Sequence, residues 1–140
     1  MNTTVAAPTT QIYRVFIKAS PERVFQAFAD QKKKDAWFGG GSDWTPVGRS
    51  FDFREGGKEH AAGRWKTGVV SKFDCIYLDI IPNQRIIYSY VMHLDDRKIS
   101  VSQAAIELKP DNGGTKFTLN QFKGQKNVML VFYPLDWTPT

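Results

Sequence analysis

Three side chains are of the types that bind metals or take part in nucleophilic catalysis: His60, His93 and the single cysteine, Cys75. None stands at a close ligand spacing to another and no acidic partners cluster with them, so no metal site is expected. Catalysis by either histidine would need a positioned Ser or Cys and an orienting acid, and the sequence holds no nucleophile-elbow pattern. A carboxylate turned into an apolar cavity has a raised pKa and can act as a general acid or base. Asp79, between Leu78 and Ile80, and Glu107 are the two acids placed for that role. Solvent-facing placement is the commoner fate of such groups. No catalytic residue is assigned and no cofactor is expected.

The stronger chemistry is that of binding. Four Trp, five Tyr and ten Phe make the chain 14% aromatic, more flat apolar surface than a core of this size usually uses. Trp37, Phe51, Phe53, Trp65, Tyr88, Tyr90 and Met92 form the expected lining of a pocket, with plain core packing as the alternative reading. Gln103, in line with Ile99 and Val101, and Gln121, in line with Phe117 and Leu119, interrupt apolar faces. They would either orient a ligand by hydrogen bonds or lie at strand ends in water. Lys32, Lys33 and Lys34 are flanked by Asp30 and Asp35, which reads as the solvated face of a helix. Without a broader basic patch or an RNP-type signature, no nucleic-acid partner is expected. The glycines at 39 and 56 lack the strand, spacing and lysine of a phosphate loop and read as turns.

Positioning these residues falls to elements that the periodicity marks out. Residues 1–10 are small, polar and uncharged and read as a disordered tail. Gln11 to Ala19 alternates as a half-buried strand. Ser20 then offers a cap, Pro21 fits the first helical position and Glu22 suits the positive end of a helix dipole. Val24, Phe25 and Phe28 repeat at helical spacing, and a second helical stretch from about Gln31 carries the stripe toward Trp37 and Phe38. Gly39, Gly40 and Gly41 end it. Beyond them the texture is alternating: a short strand bearing Phe51 and Phe53, then Lys58 to Lys66, Ser71 to Ile81, Arg85 to Leu94, Arg97 to Lys109 and Thr115 to Phe122. Turn residues separate these runs.

The 140 residues amount to one domain. No apolar run approaches the ~20 residues of a membrane helix, so no membrane insertion is expected. A net charge of +5 favours anionic partners without naming one. The N-terminus has neither the basic start nor the apolar stretch of a secretion signal, which gives a cytoplasmic expectation.

The order of one strand, two short helices and a long antiparallel meander resembles the α+β helix-grip fold of the SRPBCC, or START/Bet v 1-like, superfamily. The segments SPERVFQAF (20–28), AWFGG (36–40), GRSFDFREGG (48–57), FDCIYLDIIPNQRIIYSY (73–90) and GGTKFTLNQ (113–121) are most similar to bacterial proteins like the C-terminal domain of the Hsp90 ATPase activator. The resemblance places the domain at residues 11–122. It implies a curved sheet around a cavity for a small hydrophobic or amphipathic molecule, and it allows a chaperone contact or a polyketide-cyclase-like activity as alternatives.

Residues 123–140 break this pattern. In place of the family's long C-terminal helix, the chain reads FKGQKNVMLVFYPLDWTPT from Phe122, with an apolar run at 128–133 and prolines at 134 and 139. From about Gly124 this tail resembles a peroxiredoxin segment cut off before its reactive cysteine, and it is expected to form an atypical apolar tail or an extra strand. A sheet without its covering helix exposes an apolar concave face, so a homodimer partner or the tail is expected to cover it.

Overall fold

The computed structural model describes residues 9–123. Seven antiparallel strands form one curved sheet, ordered β1-β7-β6-β5-β4-β3-β2. The strands are β1 (Thr9–Ile17), β2 (Trp44–Phe51), β3 (Lys58–Trp65), β4 (Val70–Ile81), β5 (Arg85–Leu94), β6 (Arg97–Asp111) and β7 (Gly114–Lys123). Two helices, α1 (Pro21–Ala29) and α2 (Gln31–Asp35), lie between β1 and β2. This is the α+β helix-grip arrangement. The first strand starts two residues earlier than the alternation suggested, because Thr9 and Thr10 pair with Lys123 and Phe122. Residues 9, 10 and 123 are therefore strand residues, not parts of the expected tails. The expectations for the remaining C-terminal tail, an extra strand and no long helix, fall outside the described residues.

Local chemistry explains the helices. The Ser20 hydroxyl accepts from the Arg23 N–H at 3.2 Å, and Asp30 caps α2 by accepting from Lys33 N–H at 3.1 Å. Each bond satisfies a donor that a helix start leaves free. The α1 stripe then buries Val24, Phe25 and Phe28. Phe28 stacks against Phe117 of β7 at 6.1 Å and meets Trp37 edge-on at 5.1 Å. Trp37 donates its indole N–H to Ala27 O at 2.9 Å, so the turn after α2 is fastened back to α1.

Strand parity sets the concave face. Ile86, Tyr88 and Tyr90 of β5, Ala104, Ile106 and Leu108 of β6, and Phe117 and Leu119 of β7 are all buried on it. Ala104 lies opposite both Tyr88 and Gln121, and Ser102 opposite Tyr90. Small side chains on β6 thus leave room for the rings of β5. The opposite parity carries Val101 and Gln103 to the exposed face. In β1 the half-buried expectation fails: of its nine residues only Ile17 is buried, and Ile12, Tyr13, Val15 and Phe16 are each 45–50% exposed. Among the described residues it is an edge strand with one neighbour, β7.

Candidate functional site

The concave face carries a chain of aromatic rings. Phe53, in the loop after β2, lies 4.9 Å from Tyr77, which is 5.9 Å from Tyr88; Tyr88 is 5.7 Å from Tyr90, and Tyr90 is 5.2 Å from Phe73. Phe73 meets Phe38 at 5.0 Å, and Phe38 meets Trp37 at 5.7 Å, which brings the helical side over the same face. Phe51 stacks on Phe53 at 6.0 Å. Met92 is half-buried against this cluster.

Beyond Phe73 the face ends in a pair of indoles. Trp44 and Trp65 stand opposite each other in the β2–β3 register, and both donate to the Ser71 hydroxyl, at 3.0 and 3.2 Å. Two glycines make room for them. A Cβ at Gly63 would come within 1.8 Å of the Trp44 ring, and one at Gly40 within 2.5 Å of both Trp44 and Trp65. Gly40 therefore does more than end a helix: it lets the 39–41 loop lie on the indoles.

Two polar clusters border the rings. The first was not legible as a site. Lys34 is only 4% exposed and Glu59 1%, which overturns the reading of the lysine run as wholly solvated; Lys32 and Lys33 alone are exposed. The Lys34 ammonium donates to Glu59 Oε1 at 2.6 Å, Arg49 donates to Glu59 Oε2 at 2.7 Å, and the Tyr77 hydroxyl donates to Glu59 as well. Arg49 also bridges to Asp35 at 2.8 Å. The Lys34 ammonium lies 4.6 Å above the Phe38 ring, within 6 Å of which cation–π attraction operates.

Burial holds the Lys34 ammonium below its ordinary pKa, with Glu59 opposing the shift. Burial is the largest single influence on Arg49 and would lower it, but the Glu59 and Asp35 carboxylates together outweigh it and the net direction is up. The Tyr77 phenol is raised, by burial first and by the Glu59 charge second. Cys75, buried beside this cluster, is pushed up to about 12, chiefly by burial and then by Glu59. Its thiol is therefore no nucleophile near neutrality. The cluster clamps α2 and β2 to β3 and β4 through one carboxylate that accepts from three donors.

The second cluster gathers Tyr90, Ser100, Ser102 and Gln121, all buried. The Gln121 side-chain NH₂ donates to the Tyr90 hydroxyl. Burial raises the Tyr88 and Tyr90 phenols, so both are protonated and able to donate over the physiological range.

Of the proposed lining residues, Trp37, Phe51, Phe53, Tyr88, Tyr90 and Met92 converge on the ring cluster, Trp65 closes its end and Gln121 lies beneath Tyr90. Gln103 does not join them: it sits on the exposed face, because β6 turns the smaller Ser102 and Ala104 inward. Asp79 and Glu107 are half-buried. Their register partners, Ile87 for Asp79 and Arg85 for Glu107, alternate with the inward Ile86 and Tyr88, so both acids lie on the outer side. Asp79 is also tied to Arg85 at 2.7 Å. Among the described residues there is no cluster of three His, Cys, Asp or Glu side chains able to hold a metal, and no helix long and apolar enough to cross a membrane.

The sequence profile of the family described as "Activator of Hsp90 ATPase homolog 1-like protein" matches residues 18–130. The chain belongs to this family. Among solved structures, the Mll3558 protein from Rhizobium loti is 33% identical with a TM-score of 0.77, over 84% of this chain and 80% of that one. A putative uncharacterized protein from Rhizobium leguminosarum is also 33% identical, with a TM-score of 0.80, over 84% and 78%. The solution structure of the AHSA1-like protein from Aeromonas hydrophila shares the fold at 20% identity and a TM-score of 0.66, over 86% and 78%. Among curated proteins, none matches the chain. The family match runs to residue 130 and so includes the start of the segment from about Gly124 expected to be peroxiredoxin-like.

Proposed function

We propose that this family member binds a small hydrophobic or amphipathic molecule against the aromatic concave face, without chemical transformation. The observation that supports this reading is the continuity of the rings from Phe53 through Tyr77, Tyr88, Tyr90 and Phe73 to Phe38 and Trp37 on one side of one sheet. Removing ligand surface from water against such a face contributes about 25 cal/mol per Å², and aromatic contacts add about 0.5–1.5 kcal/mol per pair. The groups that border the rings support a reading without chemistry: Glu59 is held by three donors, the Cys75 thiol is pushed up to about 12, and the acids at 79 and 107 lie on the other side.

Binding of N-phenyl-1-naphthylamine, a neutral lipid-like fluorescent probe, tests the proposal. Saturable binding by the wild type, weakened at least about tenfold by Tyr88→Ala or Trp65→Ala with the fold retained, is the expected result. Unchanged affinity in both variants would remove the concave face as the site. A cochaperone-like contact is the second reading, favoured by the apolar side chains of Ile12, Phe16, Val101 and Phe122 that stand 46–54% exposed on the outer side. Mutating these to Ser would leave probe binding intact and abolish only a protein contact.

A further inference from the structure

We propose that the bound molecule carries a hydroxyl group and that the side-chain amide of Gln121 receives it. The inference rests on the reading of the concave face as a ligand site and specifies what the ligand must bring. Gln121 is wholly buried, and so is Ser100. The Gln121 NH₂ is engaged by Tyr90, but Gln121 Oε1 and Ser100 Oγ have no hydrogen-bond partner. A buried polar atom left without one costs about 1–3 kcal/mol, and native folds keep few.

The register puts Gln121, Ser102 and Tyr90 in one neighbourhood of the face, with Ser100 further along β6. Gln121 lies across from Ala104, Ser102 is the next inward residue of β6, and Ser102 lies across from Tyr90. Ser100 follows on the same face, across from Met92. The result is a buried polar strip at the margin of the rings, where Tyr90 lies 5.2 Å from Phe73. An apolar body on the rings would deliver its polar end to this strip.

The chemistry of the amide selects the group. With its NH₂ on Tyr90, Gln121 offers a carbonyl oxygen that needs a donor. Turned over, it would accept from the Tyr90 hydroxyl and offer a donor instead. A hydroxyl both donates and accepts, so it satisfies the amide in either orientation and can also bond a serine hydroxyl. An ether or ester oxygen only accepts, so it pairs with the amide only in the turned-over orientation and leaves Gln121 Oε1 unpaired in the orientation seen. The four side chains of the strip are neutral, which suits an uncharged hydroxyl.

Displacement of N-phenyl-1-naphthylamine by two isomers, 1-undecanol and decyl methyl ether, isolates the hydroxyl. The wild type should bind the alcohol at least about fivefold more tightly than the ether. Gln121→Met should abolish that preference while keeping the ether's affinity. If Gln121→Met does not fold, Gln121→Asn, which withdraws the amide by one methylene, must abolish it instead. Equal affinities for the isomers in the wild type would overturn the inference and leave the apolar site standing, as would a preference that survives the Gln121 variants. Failure of the probe and both isomers to bind would overturn the ligand reading itself.

Discussion

Breaking the buried Lys34–Glu59 pair should destabilise the domain far more than a surface ion pair would. The two side chains are in contact at 2.6 Å, with side-chain exposures of 6% and 0%. Removing one partner of such a pair typically costs about 3–5 kcal/mol, because the other is left buried and uncompensated. Lys34→Met leaves Glu59 with Arg49 at 2.7 Å and the Tyr77 hydroxyl, which sets the loss at the low end, about 3 kcal/mol. Glu59→Gln leaves the ammonium with a neutral amide and Tyr77 at 3.4 Å, for a similar loss of about 3 kcal/mol. In the double variant the Lys34 charge goes with Glu59 and only Arg49 is left without that carboxylate, so the loss should be about 4 kcal/mol, giving a coupling of about 2 kcal/mol. Urea unfolding followed by tryptophan fluorescence measures all four proteins. Single losses under about 1 kcal/mol, the size of an exposed pair, with losses that add within about 0.5 kcal/mol, would refute the assignment of the pair as a buried clamp.

Three further outcomes follow from the same geometry. The Cys75 thiol, raised from 9.0 to about 12, should react with an aromatic disulfide reagent at pH 8 about a thousandfold more slowly than a free cysteine, and normally once urea unfolds the chain; fast reaction in the native state contradicts the burial. Between pH 9 and 12 the unfolded chain loses the thiol proton that the folded one keeps, so stability should fall as pH rises, by about 1.4 kcal/mol per unit from this group. Urea titrations across that range should show a shallower fall in Cys75→Ala, and identical slopes would contradict it. Ser20→Ala, which removes the cap on Arg23 N–H, should cost about 1 kcal/mol in the same assay, and no loss would show that the cap contributes nothing.

The elements were legible because their signals are local. Ser20-Pro21-Glu22 announced α1, and Arg85 to Leu94 matches β5 at both ends. What escaped was of two kinds, local signals that competed with charge and contests decided by packing at a distance. Lys34 resembles its two neighbours in sequence, but three residues on comes the buried Trp37, and that helical spacing was the signal that placed Lys34 inward. Glu59 shares strand parity with Ala61 and Trp65, so it belonged to the inner face as surely as they did. Gln103 went the other way because apolar alternation through Ile99 and Val101 competed with the inward row of Ser100, Ser102 and Ala104. Only the bulky rings opposite, Tyr88 and Tyr90, decide that contest. The edge position of β1 was equally invisible, since pairing with β7 brings together residues about a hundred positions apart.

The most direct measurement is a backbone amide NMR titration of the wild-type protein with 1-undecanol. Binding on the concave side predicts saturable shifts that centre on Phe73, Tyr88, Tyr90 and Gln121 and spare the outward positions of Ile12, Leu78 and Val101. Shifts centred on those outward positions, or none that saturate, would contradict the account.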